Sequence, residues 1–411
     1  MLKCAISEQD ITPIKPMDLS GYTIDFNYPL RRGISNGALD PLLCVTMLLE
    51  INGERVLFVS LDFIVVIKSF TEEIREAISN RFSIPVMNII VSGTHTHSGP
   101  HVFLPQYVSN EDQEKILEKD YLNIVKEKIF LSVEEVLHNL ESVEAYYSNT
   151  HINGYYGNRN VRSGSYDDSF HVIRFKNSED KVIGSFANIS CHPTILKENS
   201  LKFSADLLGN IRKNISEKWD SPVLLTNGAA GDVSSRHFTN DNTYDTVIEF
   251  GTGISNQVLN NFNESRIDLD DIKVKKVSLK QEYSPKKDKN LAGINILDNP
   301  DVPEIFKKEV KRKQSVNNIL FELESYIYLI GPVSFITFPG ECVTSLAEKI
   351  KSASNMEITM LICYANDFWY YFVPEEEYGK YFESIISPLP MGLADKYGHL
   401  ISDELQNIQS K

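Results

Sequence analysis

The densest chemistry in the sequence lies in Val91-Ser-Gly-Thr-His95-Thr-His97-Ser-Gly-Pro100, where an apolar run ends in two histidines two residues apart. In extended chain that spacing turns both imidazoles to one face. The carboxyl ends of strands are where α/β sheets place their sites. Such a pair suits a metal ligand with a neighbouring base; two polar loop histidines are the plainer reading. His192 repeats the arrangement at the end of an alternating run, in Cys191-His-Pro193. A third segment, Phe338-Pro-Gly-Glu341, delivers a carboxylate after a strand and a turn, and is expected to open a helix, where the charge would also favour the dipole. Asn227-Gly-Ala-Ala-Gly-Asp-Val-Ser234 is a small-residue loop that presents a hydroxyl, and residues 366–378 are dense in aromatics, as core or pocket lining is. His138, His151, His171 and His399 read as ordinary; His101 and His237 lie near the motifs with no role assigned.

The elements that must position these groups alternate. Residues 42–51 and 55–62 read as strands joined by Asn52-Gly53, a tight-hairpin signal. Ser69-Phe-Thr-Glu72 has the capping-box pattern and is expected to open a helix to about Phe82, followed by a buried strand over 86–92. Strand, helix and strand at this spacing predict a parallel βαβ unit. Helices are expected over 111–140, 206–219, 244–262, 301–320, 341–351 and 374–384. Strands are expected over 144–148, 170–175, 182–190, 222–226, 272–282, 325–330, 333–338 and 358–364, and residues 284–299 read as a polar surface loop. No internal repeat or low-complexity tract is apparent. The pattern predicts an α/β protein, a mixed α/β sandwich in one large domain over 1–390 with a tail over 391–411.

The 411 residues carry 41 Lys plus Arg against 56 Asp plus Glu, a charge of −15, which argues against nucleic acid and anionic lipid as partners. The basic stretch Lys307–Lys313 reads as a solvated helix face. Five cysteines without CxxC spacing read as free thiols in a reducing compartment. With no apolar leader and no run long enough to span a bilayer, the expectation is a cytoplasmic protein without stable membrane insertion. The sequence carries no signal of oligomeric state.

Taken together, the motifs and their order resemble the neutral ceramidase family, in its metal-bearing N-terminal catalytic domain. The matching blocks are Asp10-Ile-Thr-Pro13, Ser20-Gly-Tyr22, Gly93-Thr-His-Thr-His-Ser-Gly-Pro100, Cys191-His-Pro-Thr194, Gly231-Asp-Val-Ser234, Pro339-Gly-Glu341 and residues 366–378, with Gly157-Asn-Arg159-Asn a looser match. The resemblance implies one zinc ion per chain held by His95, His192, Glu341 and Tyr371. It places His97 beside the metal to handle protons or bind substrate, Arg159 as an anchor for the reacting part of the substrate, and Ser234 at a serine the family needs for activity. Tyr381 is the candidate for a second active-site tyrosine. Two imidazoles and a carboxylate are also a common catalytic zinc set on chemical grounds.

The chain departs from the family where two glycines usually follow Gly-Pro, having His101-Val-Phe103, and where Pro-Asn usually follows the serine, having Ser235-Arg236. Only 28 residues follow Glu383 (411 − 383), short of the about 100 that a further sandwich domain needs, so a short form without that domain or a secretory signal is expected. The resemblance implies zinc-dependent hydrolysis of an amide in an N-acyl compound, ceramide-like or smaller and soluble. The departures, with bulkier His101 and Val102 expected to reshape the mouth of the pocket, favour soluble molecules over long-chain ceramide. Three alternatives stand beside it: an esterase or lactonase on the same centre, a metal-binding scaffold without catalysis, and a serine hydrolase using Ser234. The last is weakened because Gly231-Asp-Val-Ser234 is not the G-x-S-x-G elbow.

Overall fold

The computed structural model describes residues 1–22, 33–105, 115–293, 297, 299 and 304–410. Three four-stranded arrangements share one plan. The first comprises β1 (Leu2–Asp10), β2 (Leu43–Ile51), β3 (Glu54–Leu61) and β4 (Ile89–Gly93). The second comprises β5 (Glu144–His151), β6 (Ser169–Lys176), β7 (Val182–Ile189) and β8 (Val223–Asn227). The third comprises β9 (Ile272–Tyr283), β10 (Ile319–Ile330), β11 (Val333–Thr337) and β12 (Ile358–Ile362). In each, the order across the sheet is fourth, third, second, first. The first three strands run antiparallel and the last pairs parallel to the third.

A parallel partner needs a crossover, and a helix supplies it each time: α1 (Lys68–Phe82), α3 (Asp206–Trp219) and α6 (Thr344–Ser352). The two-residue strand Glu141–Ser142 and the three-residue strand Ser265–Ile267 extend the free edges of the first two sheets. The βαβ unit expected around residues 55–92 is present. The threefold repeat was not apparent in the sequence because it is one of element order, with no shared wording in the residues.

The three sheets face a common interior. Phe58 on β3, Phe186 on β7 and Phe335 on β11, each from the third strand of its unit, form a closed triangle with ring centroids 5.3, 5.4 and 5.0 Å apart. Such edge-on aromatic contacts add to the burial of the rings. Around them pack Met47, Ile90, Ile173, Leu224, Tyr328 and Met360. Helices cover the outer faces: α1 and α2 (Lys119–His138) the first sheet, α3 and α4 (Tyr244–Asn260) the second, α6 and α8 (Leu393–Gln409) the third. Mixed α/β content is therefore as expected, with sheets inside and helices outside.

Several expectations at element ends are corrected. The Ser69 capping box does not form: α1 starts at Lys68, and its N-cap Ile67 makes no side-chain cap. Glu341 does not open a helix, because Glu341–Cys342 pairs in parallel with Tyr371–Phe372, and the helix waits until Thr344. The helix expected over 301–320 is α5 (Glu304–Ser315), with residues 301–303 outside those described, and Ile319 already begins β10. A helix over 374–384 is broken at Gly379, whose φ is +78°, leaving a single turn Glu375–Glu377 and α7 (Phe382–Ile386). The loop 284–299, where described, buries Pro285, Leu291 and Ala292. The expected tail holds α8, whose Leu393, Ala394, Tyr397, Ile401 and Leu405 fall on one face and are buried. Tyr397 donates to Ser325 Oγ at 2.8 Å. The expected solvated basic face is solvated only in part, because Lys313 is fully buried.

Candidate metal centre

The site forms where the three units meet. His95 follows β4 of the first, His192 follows β7 of the second, and Glu341 follows β11 of the third. Backbone bonds stitch these ends together. Asn366 N donates to Val91 O, Cys363 N to Asn227 O, and Gly231 N to Cys342 O. The Asn227 side chain donates to the carbonyls of Thr94 and Cys191. Several residues here take left-handed φ that non-glycine residues adopt rarely: His95 (70°), Tyr364 (55°), Asn366 (63°) and Tyr370 (59°). Strain of this kind collects at functional sites.

His192 Nε2 lies 2.9 Å from Glu341 Oε2, and His95 Nε2 lies 3.4 Å from the same oxygen. His97 Nε2 is 3.3 Å from His95 Nε2. All but His97 are almost wholly buried. The tautomers follow from the other ring nitrogens. His95 Nδ1 faces the carbonyl of Ile64 at 2.7 Å, and His192 Nδ1 faces that of Ala230 at 2.5 Å. Only an N–H can donate there, so both Nε2 atoms carry lone pairs aimed at the cluster. This back-anchoring is how metal-bound imidazoles are oriented. His192 Nε2 and Glu341 Oε2 have no hydrogen-bond partner although both are buried, as atoms that await a cation would. The residues present fit a metal.

Burial pushes the His192 imidazole down to about 4, with Arg159 acting in the same direction against Glu341. Burial, reinforced by His95 and His192, also pushes His97 well down. Burial alone would raise the Glu341 carboxyl, but His95 and His192 outweigh it and hold the group well below the usual carboxylate range. Neutral imidazoles and an ionised carboxylate are the forms that ligate.

His95, His97 and His192 form a potential metal-holding group by proximity alone. Glu341 Oε2 is as close to His95 as His97 is, so four side chains compete for one centre. The Glu341 oxygen lies within 3.4 Å of both His95 and His192. Gly21, with φ +75°, makes room for His97: a Cβ there would come within 2.6–2.7 Å of the His97 side chain. The edge of Tyr22 meets the His97 ring at 5.2 Å.

Of the remaining sequence candidates, Tyr371 lies beside Glu341 through strand pairing, and its Oη accepts from Arg159 Nη2 at 3.2 Å. Arg159 Nε in turn donates to Glu383 at 2.8 Å, and Asn160 donates to the other oxygen of Glu383 at 3.0 Å. Ser234 bridges to His192 through its backbone, is buried, and accepts at Oγ from the Arg236 amide at 3.2 Å. Tyr381 stands at the start of α7; no hydrogen bond or ring contact joins its side chain to the cluster among the described residues.

Reading the sequence missed two tyrosines and a carboxylate. Tyr364 stacks on His95 with centroids 4.0 Å apart. Tyr22 flanks His97. Glu383 locks Arg159. Tyr22 lay inside a quoted block, but nothing local marked Tyr364 or Glu383. His237 Nε2 meets the Arg159 carbonyl at 3.1 Å. Val102, expected at the pocket mouth, is buried in the core, so of the two residues replacing the glycines only His101 stays near the surface.

Fold and site thus describe an α/β protein with a buried histidine and carboxylate cluster that could hold a metal ion. Residues 45–246 match the model of the family described as neutral/alkaline non-lysosomal ceramidase, N-terminal. A neutral ceramidase of Oryza sativa subsp. japonica is 24% identical over 208 residues, 46% of this chain and 26% of that protein, so the match spans about a quarter of the relative. A neutral ceramidase structure from Pseudomonas aeruginosa superposes with a TM-score of 0.78 at 15% identity, covering 100% of this chain and 74% of that one. A ceramidase complexed with C2 superposes with a TM-score of 0.76 at 14% identity, covering 100% and 75%. Over residues 45–246, just under half of its length, the chain is similar to the neutral/alkaline non-lysosomal ceramidase family, and its whole length shares the fold of the two solved ceramidases. No helix among the described residues is long and apolar enough to cross a membrane.

Proposed function

We propose that the protein is a zinc-dependent hydrolase of a linear amide in an N-acyl compound. The observation that carries this reading is the convergence of His95, His192 and Glu341, one from each unit, with His192 Nε2 and Glu341 Oε2 buried and unpartnered. These three would hold the ion, with Tyr371 as a fourth group beside it. When bound, zinc supplies Lewis acidity and a water of pKa near 7. His97, with its imidazole kept neutral, takes a proton on the attacking side and passes it to the leaving amine. Arg159 fixes the Tyr371 hydroxyl, which donates to the developing oxyanion. Ser234 Oγ holds the substrate beside His192. Strain at His95 and Tyr364 supports a preorganised site.

The substrate we propose is a soluble N-acyl amine or amino-acid-like amide. His101 in place of glycine supports a reshaped mouth, and Lys197, whose Nζ sits 5.7 Å from the Tyr22 ring centroid beside His97, supports an acidic group on the amine. Five buried free thiols suit a reducing compartment.

The test is kcat/KM on zinc-loaded protein for a short N-acyl series, matching esters, and ceramide in mixed micelles. Amide cleavage abolished by chelation and restored by zinc supports the reading. Cleavage of esters alone makes it an esterase, and stoichiometric zinc with no turnover makes it a scaffold. A tenfold preference for ceramide, about 1.4 kcal/mol of transition-state binding, overturns the substrate argument.

A further inference from the structure

Lys313 is the last lysine of a basic helix, yet its side chain is fully buried. Its Nζ donates to two backbone carbonyls, Ser387 O at 2.7 Å and Ser384 O at 3.1 Å. Ser387 caps the C-terminus of α7 and Ser384 lies within it, where carbonyls at a helix end have no helical partner. Burial pushes the Lys313 ammonium down to about 7, with Glu309 opposing and Arg312 adding to the shift. Ammonium and amine each carry the two N–H bonds needed, so the contact holds in both forms.

What α7 carries gives this contact its meaning. Glu383 accepts from Arg159 and Asn160. Ser387 Oγ donates to the Tyr371 carbonyl at 2.5 Å. Phe382 lies between Phe306 of α5 and Tyr371, with centroids 5.6 and 6.1 Å away. A five-residue helix has too few internal bonds to hold itself in register, so its position is set by what grips its ends. The candidate site uses Arg159 and Tyr371, and both lean on α7.

We propose that Lys313 is a positioning residue: by gripping the end of α7 it fixes Glu383 on Arg159 and Ser387 on Tyr371, and so sets the Arg159–Tyr371 pair against the metal centre. The proposal rests on the hydrolase reading for its kinetic consequence but not for its structural one.

The experiment compares the parent with Lys313→Met, Lys313→Arg, Ser387→Ala, Glu383→Gln and the Lys313→Met/Glu383→Gln double variant. Amide hydrogen exchange is read by mass spectrometry on metal-free protein, and zinc content and kinetics on loaded protein. Lys313→Met should speed exchange over 382–387 and 371–373 while leaving β4, β7 and β11 protected. It should keep its zinc and lose roughly ten- to hundredfold in kcat, the scale of a misplaced catalytic group. Lys313→Arg should recover part of the rate, and Ser387→Ala should lose rate with little change in Tm. Lys313→Met should cost less than about threefold once Glu383→Gln is present, since both act on one link. A lowered Tm with unchanged exchange over 382–387 and unchanged kcat per folded molecule overturns the proposal, as does full additivity in the double variant. If Lys313→Met does not fold, Ser387→Ala and Lys313→Arg carry the test. A parent without turnover sinks the hydrolase reading, while the exchange data still decide the role of Lys313.

Discussion

Removing the titration of His171 should flatten the acid limb of stability. The imidazole, on β6, is buried, with Nδ1 2.8 Å from the Tyr147 hydroxyl. Burial, with Lys351 pushing the same way and Asp167 opposing, lowers it from its ordinary 6.5 to about 4. Above pH 6.5 the ring is neutral in both folded and unfolded chains and stability does not depend on it. Below that the unfolded chain takes a proton the folded one refuses, so stability is lost as pH falls toward 4. At pH 4.5 the loss is ~2.6 kcal/mol, from about 1.36 kcal/mol per pH unit. With an unfolding entropy of roughly 0.9 kcal/mol/K for 411 residues, this lowers Tm by about 3 °C. The assay is calorimetry of parent and His171→Gln at pH 7.5 and 4.5. Every other acid-titrating group is common to both proteins, so the parent should fall further by about that amount. Equal falls would refute the reasoning and show that the His171 ring titrates alike in the folded and unfolded chains.

Purified protein should hold about one zinc per chain by elemental analysis; His192→Ala should lose it, whereas His97→Ala should keep it and lose rate. An empty site in His97→Ala with a filled one in His95→Ala would reverse the ligand assignment. Ser234→Ala should retain zinc and lose most of the rate, and an acyl adduct trapped on Ser234 by mass spectrometry would make it a covalent nucleophile instead. Asp62→Asn should destabilise by about 3–5 kcal/mol in denaturant titrations, because it strips the bidentate partner from buried Arg212, now held at 2.6 and 3.0 Å. A cost under about 1 kcal/mol would show that the pair is solvated.

What the sequence revealed of this site depended on how local each signal was. His95 and His192 end apolar runs, so their strand-end positions were readable from alternation alone. Glu341 was placed at a helix start because its true neighbour, Tyr371, is distant in sequence and pairs with it only in the fold. Tyr364 read as the end of a strand; its stacking on His95 depends on two left-handed φ angles that no residue type there announces. Lys313 sits among other basic residues, and composition favours water for such a run. Its burial is decided by two carbonyls of α7. The strands themselves were legible nearly throughout, since half-buried sheets alternate and their hairpins carry turn residues such as Asn52-Gly53. Their threefold arrangement was not, because topology is a relation between segments.

Three units of one topology that meet at Phe58, Phe186 and Phe335, each sending one side chain to a common point, have the geometry of a cyclic trimer whose protomers share a single chain. In a true trimer, a centre on the axis must be lined by three copies of the same residue, and the chemistry there is bound to be threefold symmetric. Covalent continuity lifts that constraint. The place that His95 holds two residues beyond the fourth strand of its unit is held in the third unit by Tyr364 and in the second by Ala229. One position thus holds a histidine of the cluster, a ring that stacks on it, and a small residue of the core. For the amide proposed as substrate, with its unlike acyl and amine sides, three arms free to diverge let one centre present a different group to each side.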